Sequence, residues 1–401
     1  MMAAGAAAEN GANVVLIEKN PGLGKKLLLT GGGRCNITNT ADVADFVGRV
    51  LHNPNFLYSA LYGFDYVALR DFLSGLGCPT KVEEEGRVFP VSDDATDVVK
   101  AFARYLKEAG VDVWTEAAVA EVLPREKPGF TVILIDGREV AADAVIVTTG
   151  GLAAPHTGST GDGHHIARKL GHDVTKLYPA LTPLAVQNPD VSELMGLSMT
   201  DVGLVAKRDG KVVYKDFGDI IFTHFGISGP MILRASAYLA KSLHLPHKVY
   251  LDFAPYQSDK GLDNDILRIL GQNPNRDVKN CLIELMPTRL FAAILAAAAL
   301  AEDTKARDVT KEVRKGLGRS MKAFELEIVG SMGFGAAVIT CGGVNCDEID
   351  PGTMESKLVH GLYFAGEVLD VDALTGGYNL AIAFATGRLA GKSAALSGLV
   401  G

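Results

Sequence analysis

One tryptophan, five cysteines and no surplus of positive charge are spread over 401 residues. An odd number of cysteines at irregular spacing sets no disulfide framework, so a reducing cytoplasm is the simpler reading. A formal net charge of −8 argues against a chain-wide polyanion-binding role and leaves room only for a local basic patch. No apolar run reaches the ~20 residues that span a bilayer. The longest, Leu290 to Ala301, is mostly alanine and reads as a packed helix. The opening residues carry an early Glu9 and no cationic flank, which is not the pattern of a signal peptide. A soluble, cytoplasmic protein without membrane association is expected. The last absence is local: the first residues look like the inside of a dinucleotide-binding βαβ unit, yet no GxGxxG turn stands before them.

What is present starts there. Ala3 to Ala12 reads as a helix of small residues, and Asn13 to Ile17 as a short β-branched strand closed by Glu18. An acidic residue at the end of the second strand of such a unit accepts hydrogen bonds from the adenosine ribose hydroxyls. Thr30-Gly-Gly-Gly-Arg-Cys-Asn36 follows. Three consecutive glycines are costly in conformational entropy, and a ligand lying against the backbone explains them better than packing does. Within this loop Arg34 suits a phosphate or substrate anion, with Cys35 and Asn36 near the same ligand.

Further along, Asp97 to Ala109 has helical spacing and Gly110 stops it; Val111 to Trp114 begins a strand. Ala117–Leu123, Phe130–Ile135 and Glu139–Ala142 read as a small meander, and Ala144 to Thr149 as a buried parallel strand running into Gly150-Gly151. From about Leu177 the texture is β-rich, interrupted by Thr223 to Pro230, where Pro230 suits the first turn of a helix through Leu239. Residues from about Asp263 to Met321 read as helical. Gly361 to Gly387 then places a strand, Gly366, Glu367 and the Gly376-Gly377 turn before an alanine-rich helix. A helix N-terminus offers unpaired amides and a positive dipole to anionic or polar ligand atoms.

Together these segments resemble the BaiN/RdsA family of FAD-dependent oxidoreductases, flavoproteins with a glutathione-reductase-like FAD domain. The resemblance covers essentially the whole chain and is carried by the stretches at 16–39, 86–92, 149–172, 222–230 and 354–380. It implies an α/β fold: a discontinuous, three-layer Rossmann-like FAD domain (1–176 with 335–401), a β-barrel-like insert (177–262 with 322–334) and a helical insert (263–321). FAD would be held by Glu18, Lys19, Thr30, Gly31, Gly32, Gly33, Arg34, Cys35, Asn36, Val119, Thr149, Gly150, Gly151, Gly366, Glu367, Gly376, Gly377, Tyr378, Asn379 and Leu380. Members carry an opening strand and a glycine-rich turn before the stretch matching Met1, so roughly ten residues are expected to be missing. The chain as written is accordingly expected to bind FAD weakly or fold poorly, and an upstream extension to restore both.

The implied chemistry is reduction of FAD by NADH or NADPH and hydride delivery to an activated C=C bond, with Tyr378, His224 or Cys35 as proton donor. The substrate is either a small molecule, such as an enone, or uridine in ribosomal RNA. The run of basic residues from Lys305 to Lys322 is either a solvated helix face or an RNA-contacting surface. An amine oxidase of the aminoacetone type, or an inactive flavoprotein, are the alternatives. Cys341 and Cys346 read as two core or strand cysteines rather than a redox pair, and His164-His165 as the start of a helix. No metal site is expected.

Overall fold

The computed structural model describes residues 1–397, apart from the side chains of 189 and 190. They form two compact units, 1–179 with 337–397 and 180–336. Among them no helix is long and apolar enough to cross a membrane.

In the first unit, strand Val15–Ile17 runs parallel to Asp112–Trp114, and Leu362–Phe364 runs parallel to Val145–Val147. These are two separate two-stranded ladders rather than one continuous sheet. The meander expected from the alternation at 117–142 forms as three antiparallel strands, Val119–Pro124, Phe130–Leu134 and Glu139–Ala142. Helix Ala95–Glu108 covers the expected stretch and begins where Asp94 accepts from the Thr96 amide at 2.8 Å. It buries Val98, Phe102, Tyr105 and Leu106, one apolar stripe at helical spacing. Phe102 stacks on Phe384 of the closing helix Tyr378–Ser397, with ring centroids 5.1 Å apart.

The first helix, Met2–Glu9, is made of small residues because it is approached closely from two sides. A Cβ added at Gly5 would sit 2.0 Å from the Tyr105 ring, and one at Gly391 would sit 2.2 Å from the Ala3 carbonyl oxygen. The two ends of the chain therefore meet backbone to backbone.

The second unit is a closed antiparallel barrel of six strands. Leu184–Val186, Gly226–Ser228, Lys211–Thr223, Ser198–Arg208, His247–Asp252 and Phe324–Ser331 pair in that order and return to the first. Alternate residues such as Leu204, Ala206, Val249, Leu251, Leu326 and Ile328 fill it. Helices Asp259–Gln272, Thr288–Ala297 and Lys311–Lys322 share one apolar core with the barrel, so residues 263–321 do not stand as a separate unit. Residues 223–230 make a tight hairpin into a helix. Gly226, at φ +155°, has no room for a Cβ beside the Leu184 carbonyl, and helix Pro230–Leu239 opens on its proline as expected, with Gly229 at its N-cap.

The close approach is testable by contrast. Gly391→Ala must push the two terminal helices apart and is expected to cost about 1–3 kcal/mol. Gly316→Ala, inside helix Lys311–Lys322 with open space at its Cβ, is expected to gain about 0.5–1 kcal/mol. Thermal unfolding of both variants checks the pair; equal midpoints would remove the packing argument.

Candidate functional site

Glu18 extends the ladder of strand Val15–Ile17, its amide donating to the Trp114 carbonyl at 2.8 Å. Its Oε1 accepts from both the amide and the side chain of Asn20, each at 2.8 Å, and Asn20 Nδ2 also reaches the Thr157 carbonyl at 3.0 Å. The carboxylate is thus fixed in direction at the strand's carboxyl end, where dinucleotide ligands bind. Lys19 turns elsewhere: its Nζ lies 2.6 Å from Asp162 Oδ2 and also donates to Thr160.

Gly31, Gly32 and Gly33 all have positive φ, +58°, +67° and +88°. They are exposed, and a Cβ at Gly32 or Gly33 would meet nothing. Glycine takes three such residues in succession at little steric cost, and the exposed loop leaves its backbone open to a ligand. Arg34 adds no anion ligand there. Its guanidinium is held by Glu83 and Asp93, lies 4.1 Å over the Phe89 ring, and has its pKa raised first by the Glu83 hydrogen bond and then by Asp93. The expected phosphate contact is therefore replaced by two carboxylates. Cys35 has no exposed surface, and burial pushes its thiol up to about 12 against a bond from Thr30. It is a protonated core residue, not an accessible acid or nucleophile.

The glycine loop after strand Val145–Val147 meets two residues that sequence reasoning missed. Thr340 Oγ1 accepts from the amides of Leu152 and Ala153 at 2.8 and 3.0 Å, and the Thr340 amide donates to Glu367 Oε1 at 2.9 Å. Lys26 Nζ lies 2.6 Å from the other Glu367 oxygen. Gly151 must be glycine, because a Cβ would fall 2.3 Å from Thr340 Oγ1. Gly150 is half-buried and Thr149 exposed beside it. The repeated Lys25-Lys26 carried no periodicity that could have singled out Lys26.

The Gly376-Gly377 turn sits on Thr38: a Cβ at Gly377 would fall 2.3 Å from the Thr38 carbonyl. Asn39 Nδ2 donates to the Gly376 carbonyl at 3.1 Å, and the Asn36 amide, turned to suit its neighbours, accepts from the Gly377 N–H at 3.0 Å. Asn379 clamps the preceding loop, exchanging bonds with Ala373 at 2.9 and 2.8 Å. Tyr378 is buried, edge-on to Phe46 at 5.0 Å, and burial raises its hydroxyl pKa. Leu380 packs on the core, Gly366 takes φ +76°, and Val119 is half-buried on its strand. His224 lies exposed at a hairpin of the barrel unit with its ring on Phe225.

These bonds bring the expected site segments together within the first unit: 18–20 with 157–162, 26 with 367, and 36–39 with 376–377. The residues fit FAD. A directed carboxylate, an exposed glycine loop and the start of a 20-residue helix behind two glycines are in place, and Thr38 Oγ1 is buried at the turn without a partner. Cys341 and Cys346 are both buried, and no disulfide joins them.

His164, on the helix Asp162–Lys169, is buried with its Nε2–H donating to the Val368 carbonyl at 3.1 Å and Nδ1 unpartnered. Burial lowers its pKa below the ordinary 6.5, the Val368 bond opposing. Above that value folded and unfolded forms are both neutral; below it only the unfolded chain takes up the proton, so stability is lost as pH falls. The urea midpoint is expected to drop between about pH 7 and about pH 5, with a shallower slope in His164→Gln. An unchanged slope would exclude this group.

A protein-family model described as the HI0933-like protein Rossmann domain matches residues 1–393. A 3-dehydro-bile acid delta(4,6)-reductase of Clostridium scindens is 34% identical over 98% of this chain and 95% of its own. A ribosomal RNA dihydrouridine synthase of Escherichia coli is 29% identical over 94% and 91%. In fold, a variant of E. coli quinol fumarate reductase aligns at TM-score 0.50 and 15% identity, over all of this chain and 69% of that one. With a match that takes in nearly every residue, the chain belongs to the HI0933-like protein Rossmann domain family.

Proposed function

We propose that the protein is an FAD-dependent oxidoreductase that uses NADH or NADPH to reduce a C=C bond conjugated to a carbonyl. The reading is carried by four features that lie in one unit: the directed Glu18 carboxylate, the Gly31–Gly33 loop, the Lys26–Glu367 pair and the Gly376-Gly377 turn. The names of the relatives support its direction. A delta(4,6)-reductase and a dihydrouridine synthase both add two hydrogens across a double bond polarised by a carbonyl.

When bound, the flavin supplies the hydride. The chain supplies the rest. Glu18 would accept from the ribose hydroxyls, and the backbone of the Gly31–Gly33 loop would lie against the cofactor. The Lys26 ammonium and the Thr340 amide fix the direction of the Glu367 side chain, which would accept from ribityl hydroxyls. Tyr378 keeps its proton at the start of the closing helix and remains the proton donor candidate of the first unit, since the Cys35 thiol is sealed in the core.

The substrate proposed is a small α,β-unsaturated carbonyl compound. An RNA substrate would use the basic run 305–322 as its contact surface, but much of that charge is spent internally. Lys305 pairs with Asp277, Arg314 makes a bidentate pair with Asp263 at 2.6 and 3.0 Å, and Lys322 is bound by Asp252 and two carbonyls.

Three outcomes are expected. Purified protein titrated with FAD acquires a flavin spectrum, which NADH or NADPH bleaches without air and a conjugated enone restores; peroxide formation with an amine, and no enone turnover, would replace this reading with an oxidase. Glu18→Ala loses hydrogen bonds to a charged group, about 1.5–3 kcal/mol, and weakens FAD roughly 10- to 150-fold. Glu367→Gln keeps its shape, loses the Lys26 pairing, and weakens FAD by about tenfold. Retention of full flavin affinity in both variants would move the cradle elsewhere.

A further inference from the structure

The proposed reaction leaves one cluster of chemically active side chains unused. His52, Cys341 and Asp372 come from three separate segments of the first unit, and their ligand atoms lie within 4.8 Å of one another. His52 Nδ1 is 2.5 Å from Asp372 Oδ1 and 3.7 Å from Cys341 Sγ. Both neighbours thus converge on the same ring nitrogen. A proton relay would place them on opposite nitrogens, with base and orienting group at the two ends of the imidazole. Convergence on one point is the arrangement of ligands around an ion.

The cluster is sealed on two sides. Cys341 is 0% exposed and the Asp372 side chain 1%, whereas His52 retains 24%. Asp372 Oδ2 is buried with no hydrogen-bond partner. A desolvated carboxylate with an unsatisfied oxygen is costly, and buried charges are ordinarily paired or coordinate a metal. The framework is also held before any ion enters. The Leu51 amide donates to the Asp372 carbonyl at 2.8 Å, the Leu374 amide to the Arg49 carbonyl at 3.0 Å, and Asn53 Nδ2 to the Asp370 carbonyl at 2.6 Å. Backbone pairing on both sides of His52 and Asp372 fixes where their side chains can meet.

We propose that His52, Cys341 and Asp372 bind a thiophilic divalent cation of the zinc class, with a fourth position open to solvent on the His52 side. Thiolate, imidazole and carboxylate together are a borderline-soft donor set suited to tetrahedral Zn²⁺ and unsuited to Mg²⁺ or Ca²⁺. Ligand lengths of about 2.0 Å to nitrogen and 2.3 Å to sulfur give a tetrahedral N···S edge of about 3.5 Å, close to the observed separation. The His52–Asp372 contact must open by roughly 0.8 Å to reach the corresponding N···O edge, within reach of a side-chain rotation. Ligation by the Cys341 thiolate displaces the thiol proton, so affinity rises with pH. Cys341 directly follows Thr340 of the proposed cradle, but the donor set does not depend on the proposed reaction.

The test uses the whole protein, stripped with a chelator and titrated with Co²⁺ while difference spectra are recorded. The expected result is one equivalent bound, with a thiolate-to-cobalt charge-transfer band and the visible bands of a four-coordinate ion, both removed by added Zn²⁺. Cys341→Ser is expected to abolish the charge-transfer band and Asp372→Asn to weaken Co²⁺ more than about tenfold. Wild-type protein without that band overturns the proposal whatever the variants do. The same band persisting in a folded Cys341→Ser protein overturns it too, by assigning the thiolate elsewhere.

Discussion

Everything at the site hangs on the meeting of the chain's two ends. Residues near 3, 26 and 36–39 touch residues near 367, 377 and 391, more than three hundred positions away, through contacts that are mostly backbone. Gly391 against Ala3 and Gly377 against Thr38 leave no space for a methyl group. The Lys26–Glu367 ion pair bridges the same divide with half-buried partners. Close-packed interfaces of this kind are not continuously deformable. The glycines therefore do more than relax the chain locally, since each removes the steric barrier to a long-range contact that positions a functional side chain.

Local order was readable wherever neighbours in sequence decide it. The helix from Pro230 to Leu239, the helix 95–108 and the meander at 119–142 follow from caps, spacing and alternation. What escaped was decided by distant partners. Arg34 meets carboxylates 49 and 59 residues away, so its role as an anion ligand could not be judged from the glycine loop alone. His52 and Asp372 stand 320 residues apart and share no motif. The barrel closes by pairing Leu184–Val186 with Phe324–Ser331, which also explains why the helical segment between shares its core.

The family-like stretch at 222–230 shows how a conspicuous motif can carry structure as well as chemistry. Its glycines are required by a hairpin whose backbone presses on Leu184, and its proline opens a helix. His224, the residue with catalytic interest, is the exposed tip of that turn. The spacing of the motif follows from the turn, whatever its histidine does.

Side-chain chemistry in the first unit is correspondingly restrained. Burial holds Cys35 as a thiol and Tyr378 as a phenol, so neither offers a ready anion. The side chains of Glu18 and Glu367 are each directed by bonds from neighbouring residues. A site made of oriented carboxylates, glycine turns and protonated acids binds and positions a cofactor without competing with it as a nucleophile. Redox chemistry lodged in a bound group asks for that division, with the protein contributing fixed dipoles and the cofactor the reactive atom.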